Sequence, residues 1–172
     1  TLYSRVMGEA PDKPARRYRE VGVLAEGGMA VIAQGVAEDG ASVVVKRVRA
    51  PFCFDAGYLR LFDDEGAVHA ALDHPCIVKI YDAQQIGSVL YYTMEYVEGT
   101  SLFKYMKKKG KLGLGSVVRV LSLLCHALEH AHVYAVHRDL SPDNVMVLAN
   151  GNIKLLDFGL AKLMNVESQF TM

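Results

Sequence analysis

The chain has 172 residues, enough for one domain with a buried core, and its formal net charge of zero excludes a nucleic-acid binder built on basic excess. Hydrophobic residues make up 51% and charged residues 22%, a globular composition in which no run approaches the ~18–20 apolar residues that span a bilayer, and no signal-peptide pattern opens the chain. Cys53, Cys76 and Cys125 are odd in number and widely spaced, which fits a reduced, cytoplasmic compartment better than a disulfide scaffold.

Residues 1–19 carry Pro11, Pro14 and the pair Arg16-Arg17 without sustained periodicity, and they read as a tail or linker. From Tyr18 short apolar stretches take over: Val21-Gly22-Val23-Leu24, Val31-Ile32-Ala33 and Ser42-Val43-Val44-Val45, punctuated by Gly27-Gly28, Gly35 and Asp39-Gly40. They predict three strands joined by tight turns, with Asp39-Gly40 the stronger hairpin signal. The third strand is expected to end at Lys46, and a helix to run through Leu59-Arg60-Leu61-Phe62 to Ala71 with Asp63, Asp64 and Glu65 on it. Val89 to Gly99 predicts one more strand and its exit. The basic cluster Lys107-Lys108-Lys109-Gly110-Lys111 reads as a solvated helix end or loop. From Ser116, positions Val117, Val120, Leu121, Leu124, Leu128 and Ala131 recur at helical spacing and predict one long amphipathic helix with a buried face. His126 and His130 stand four apart on it, a spacing for two metal ligands; with no third ligand evident they read as polar helix-face histidines.

After this helix comes the most informative stretch, Val136-His137-Arg138-Asp139-Leu140-Ser141-Pro142-Asp143-Asn144, followed by Leu156-Asp157-Phe158-Gly159. Two carboxylates and an amide in this order suit phosphoryl transfer. One carboxylate takes or orients the proton of the attacking hydroxyl, while the Asn and the second Asp hold Mg²⁺ against nucleotide phosphates.

These residues resemble the protein kinases, of the bacterial serine/threonine type. The His-Arg-Asp-Leu-x-x-x-Asn loop is complete at His137 to Asn144 and Asp-Phe-Gly follows at Asp157 to Gly159, preceded by a Gly-rich turn, a Val-rich strand with Lys46 and a helix with Glu65. The resemblance implies an α+β, bilobal protein-kinase-like fold: an antiparallel-sheet N-lobe with one helix, hinge included, over residues 20–97, and the first part of a mainly helical C-lobe over 98–172. The chain begins at Thr1 and stops soon after Asp-Phe-Gly, and it is therefore expected to be a fragment, truncated after that motif and inactive alone.

By the same resemblance, Asp139 orients and deprotonates the substrate hydroxyl, Asn144 and Asp157 coordinate Mg²⁺, and Lys46, held by Glu65, positions the ATP phosphates. The turn Leu24-Ala25-Glu26-Gly27-Gly28-Met29-Ala30 is expected to lie on those phosphates, because small residues let backbone N–H groups approach them. Ile32, Val44 and Met146 are expected to sandwich adenine, with Met94 at the back of its pocket and backbone groups of Glu95 and Val97 bonding its edge. His137 and Phe158 would align the loop by packing, and a phosphate on Ser168 or Thr171 would pair with Arg138. The implied activity is transfer of the ATP γ-phosphate to Ser or Thr hydroxyls of protein substrates, with no nucleic acid and no membrane segment in this chain; an anchor beyond Met172 is left open. Three departures from the family pattern, Ala25, Val44 and Ser141 in place of the usual Lys, motivate an alternative: a pseudokinase acting as an allosteric nucleotide-binding module.

Overall fold

The computed structural model describes residues 18–50, 52–60, 62, 69, 71–86 and 89–157. They divide into two compact units, one of residues 18–71 and 79–96, the other of 72–78 and 97–157.

The first unit is a five-stranded antiparallel sheet of β1 (Tyr18–Glu26), β2 (Ala30–Ala37), β3 (Ser42–Val48), β4 (Ile80–Ile86) and β5 (Val89–Glu95), in the order β1-β2-β3-β5-β4. Side chains alternate across each strand, and register decides which share a face. Ala33 opposes Val45 and Gly35 opposes Val43, so one face collects Val31, Ala33, Val43, Val45 and Thr93, all buried. On the other face Ile32 opposes Lys46 and Lys46 opposes Tyr92, while Val44 opposes Met94. Residues 56–60, 62 and 69 are helical. Asp55 caps this stretch by accepting the Tyr58 N–H on its carboxylate at 2.9 Å. An aromatic ladder of Tyr58, Phe62 and Tyr92, with centroids 6.3 and 4.9 Å apart, packs it against the Lys46 face.

Asp39-Gly40 makes the expected β2–β3 hairpin. Gly40 adopts φ +83°, a left-handed conformation that costs a glycine little, and the Asp39 side chain accepts the Ala41 N–H at 3.0 Å. The third strand does not end at Lys46, as expected, but runs two residues further to Val48. Arg47 finds Glu20 at 3.2 Å and Val48 is buried, so both extend the ladder.

The second unit holds a three-stranded antiparallel sheet, β6 (Gly99–Ser101), β7 (Val145–Leu148) and β8 (Ile153–Leu155), with two helices, α1 (Leu102–Lys109) and α2 (Leu114–Ala131). Ser101 caps α1 through the Lys104 N–H, and Lys107, Lys108 and Lys109 fill its last turn, where cations complement the helix dipole. The basic cluster is thus an exposed helix end, as read from sequence.

Helix α2 begins at Leu114, two residues before the predicted start at Ser116, and buries Leu124, Ala127 and Ala131 against Leu72, Cys76, Ile77, Val145, Ile153 and Leu155. Leu121, expected on the buried face, is 56% exposed. Apolar residues occupy more than one face of α2, and the small Ala127 and Ala131 let residues 72–77 and β8 approach one side closely. Arg119 ties the helix to the β7–β8 turn, donating to the Gly151 carbonyl at 3.1 Å and the Asn152 side chain at 3.0 Å.

Candidate functional site

Chemistry-bearing residues of the second unit gather where α2 gives way to a loop. The chain leaves the helix through Tyr134 and Ala135, whose N–H groups both donate to the Ala131 carbonyl at 2.9 Å. His137 then turns inward and is 2% exposed. Its Nε2–H donates to the Leu156 carbonyl at 2.9 Å, and Nδ1, unprotonated in that tautomer, accepts the Asp139 N–H at 3.3 Å. Burial pushes the imidazole below its ordinary pKa, with the Leu156 bond acting in the opposite sense, so the ring is held neutral. Arg138, between these two residues, has φ +59°. A non-glycine residue held there stores strain, of the kind found where loop geometry serves a site.

Asn144 closes the loop. Its Nδ2 donates to the Asp139 carbonyl at 2.9 Å and to the Asp139 carboxylate at 3.1 Å. Pro142–Asn144 forms a 3-10 turn that places this amide over Asp139. The Leu156 N–H donates to the Asn144 carbonyl at 2.8 Å, so the residue before Asp157 is bonded through both of its backbone groups to the same loop. Asp157 itself has φ +23°. Asp139, Asn144 and Asp157 are therefore gathered by a continuous hydrogen-bonded frame within one unit.

In the first unit, β1 ends with Leu24, Ala25 and Glu26, the turn is Gly27-Gly28-Met29, and β2 opens at Ala30. Ala25 is registered opposite Ile32, and Ile32 opposite Lys46. One sheet face thus brings Ala25, Ile32, Val44, Lys46 and Met94 together. The Lys46 ammonium stands 5.4 Å from the Tyr92 ring centroid. The Glu95 N–H donates to the Lys79 carbonyl at 2.8 Å. Val97 and Met146 belong to the second unit, where Met146 pairs with Ser101 and Lys154. Glu65, the proposed partner of Lys46, lies outside the described residues, as do Phe158, Gly159, Ser168 and Thr171.

Around His126 and His130, as elsewhere among the described residues, no group of three or more His, Cys, Asp or Glu is placed to hold a metal ion. His130 instead stacks on His74, centroids 5.4 Å apart.

Comparison with known proteins gives this geometry a family. The protein kinase domain profile matches residues 18–172. The chain belongs to the protein kinase family. Serine/threonine-protein kinase PrkC of Bacillus subtilis is 36% identical over 148 residues, 84% of this chain and 23% of that protein. The probable serine/threonine-protein kinase PknB of Lactococcus lactis is 35% identical over 159 residues, 90% of this chain and 25% of that protein. Among solved structures, the kinase domain of Mycobacterium tuberculosis PknI matches with a TM-score of 0.71 at 27% identity, covering 83% of this chain and 58% of that one. The chain thus has a protein-kinase fold, and it spans about a quarter of the length of the two curated kinases.

Two features of this kinase chain were missed in its sequence. Arg49 contacts the Gly-rich turn through its side chain, and His74 stacks on His130 within the second unit. Neither has a local sequence signal, because each joins residues far apart in the chain.

Proposed function

We propose that this chain is the nucleotide- and metal-binding part of a serine/threonine protein kinase that transfers the ATP γ-phosphate to Ser or Thr hydroxyls of proteins. The observation that carries the proposal is the hydrogen-bonded frame joining Asp139, Asn144 and Leu156-Asp157. With both Asn144 Nδ2 bonds directed at Asp139, Oδ1 remains as its acceptor, a hard oxygen of the kind that Mg²⁺ takes beside a carboxylate. The donor set therefore fits the ion: Asn144 and Asp157 would hold it, and when bound it neutralises charge developing on the phosphates.

Asp139 acts on the substrate hydroxyl, orienting it and accepting its proton; the Asn144 amide holds its carboxylate in place for that task. Lys46, with Glu65 as its partner, positions the phosphates, and the turn from Leu24 through Ala30 covers them with backbone N–H groups. By the kinase resemblance Ile32, Val44, Met94 and Met146 would be the adenine contacts, with backbone groups of Glu95 and Val97 at its edge. Cys53, Cys76 and Cys125 are unpaired, which supports a cytoplasmic setting. Leu114, Val118 and Leu121 of α2 are exposed, which supports the expectation that residues 1–172 alone transfer no phosphate to protein. Ser141 supplies a hydroxyl where a lysine would touch the γ-phosphate, and this favours as second reading a pseudokinase that binds nucleotide without transfer.

The test is phosphate transfer from labelled ATP to a generic basic protein by the full-length natural protein and its Asp139→Asn variant. Transfer that falls by orders of magnitude while ATP binding holds supports the kinase reading. An Asp139→Asn variant as active as the wild type overturns it, and wild-type binding without any transfer favours the pseudokinase.

A further inference from the structure

The turn between β1 and β2 is gripped from outside itself. Arg49, one residue past β3, donates its Nη1–H to the Gly27 carbonyl at 2.8 Å and its backbone N–H to the Met29 carbonyl at 2.9 Å. The turn is closed on the other side by the Gly27 N–H, which donates to the Ala30 carbonyl at 2.9 Å.

A trans peptide group is planar, with its C=O and its N–H pointing in opposite directions. Drawing the Gly27 carbonyl toward Arg49 therefore turns the Gly28 N–H to the opposite side of the turn. Neither Gly27 nor Gly28 has a side chain to select a backbone conformation, so the peptide between them is the part of the turn most free to flip. The flanking residues, Glu26 and Met29, both carry side chains, so that freedom is concentrated at the two glycines. Nothing crowds the second of them: a Cβ added at Gly28 would meet no atom within 4 Å.

We infer that Arg49 is a positioning residue for the phosphate-binding turn, and that its hold on the Gly27 carbonyl aims the Gly28 N–H at a phosphate oxygen of the nucleotide. This rests on the nucleotide reading of the turn proposed above. Arg49 acts through the backbone and not by touching the phosphate.

The experiment compares ADP and adenosine binding, by calorimetry, to the full-length wild-type protein and its Arg49→Ala and Arg49→Lys variants. ADP binds Arg49→Ala about three- to tenfold more weakly, the change expected for one net hydrogen bond, while adenosine binding is unchanged. The loss is equal at low and high salt, whereas direct attraction between guanidinium and phosphate would be screened. Arg49→Lys, with a donor at similar reach, recovers the affinity and serves as the folded variant should Arg49→Ala unfold. In ¹⁵N spectra, ADP moves the Gly28 amide in the wild type and not in Arg49→Ala. Equal ADP affinity in all three proteins, equal weakening for adenosine, or a loss that disappears at high salt overturns the inference. A wild-type protein that binds neither ligand overturns the nucleotide reading and the inference with it.

Discussion

Replacing His137 with Phe isolates one hydrogen bond of the site frame. The ring stays apolar in body and similar in size, and the Asp139 N–H keeps a partner, because it also donates to the His137 backbone carbonyl at 2.8 Å. The Leu156 carbonyl loses the donor at Nε2. His137 is 2% exposed, so water has no easy route to that carbonyl through the site of the lost bond. A buried acceptor left unpaired costs about 1–3 kcal/mol, which is roughly 5- to 150-fold in a local opening equilibrium. Amide exchange at Leu155 and Val78, bonded to Cys76 and Leu155 respectively, reads that opening in the second unit. The expectation is acceleration there, with Val45 of the first sheet unaffected. Less than twofold acceleration at Leu155, or equal acceleration at Val45, would refute the reasoning. Acidification supplies a second reading. The native ring is neutral, held so chiefly by burial, so its contribution is whole above about pH 6.5 and is lost as pH falls from there through its lowered folded value. His137→Phe removes this part of the acid sensitivity.

The His74–His130 stack carries its own pH dependence. Burial, then the nearby His130, His126 and Lys154, lower the His74 pKa, so in an NMR titration His74 titrates below 6.5, and in His130→Phe it moves toward that value without reaching it, burial remaining. Stability from the loop of residues 72–78 is then present above about pH 6.5 and falls as pH drops through the lowered His74 value. Gly99→Ala places a Cβ 2.7 Å from the Val147 backbone carbonyl, so β6 must move off β7 at a cost of about 1–3 kcal/mol, measured by urea unfolding. Thiol titration of the native protein finds Cys125, which is exposed, before the buried Cys53 and Cys76, and burial raises the Cys76 thiol pKa further from reactivity. Modification of Cys76 at the rate of Cys125 would contradict its place in the core.

The strands of the first sheet were legible because alternation over Val31 to Ala37 and Val43 to Val45 is a local signal, and Asp39-Gly40 marks its own turn. The kinase resemblance was legible for a similar reason: His137 to Asn144 is contiguous. The buried face of α2 was legible only in part. Leu121 and Leu124 are equally apolar, and periodicity could not say that the small surfaces of Ala127 and Ala131 would decide which side meets β8. Contacts made at a distance left no trace in the sequence. Arg49 reaches Gly27 across 22 positions, and His130 was weighed as a ligand beside His126 because its true neighbour, His74, lies in a loop before β4.

Strand β8 is bonded along both edges. It pairs antiparallel with β7 on one side, and on the other Ile77 bridges Leu155 in parallel while the Lys154 ammonium donates to the Ile77 carbonyl at 3.2 Å, 77 positions away. During synthesis at ~5–20 residues per second, those 77 positions amount to about 4–15 s in which Ile77 and Val78 have emerged and their partner has not. Closing so long a loop is slow by topology as well. The second unit therefore completes this pairing only after Leu155 has emerged, and for those seconds Ile77 and Val78, buried in the finished fold, lack the strand that covers them.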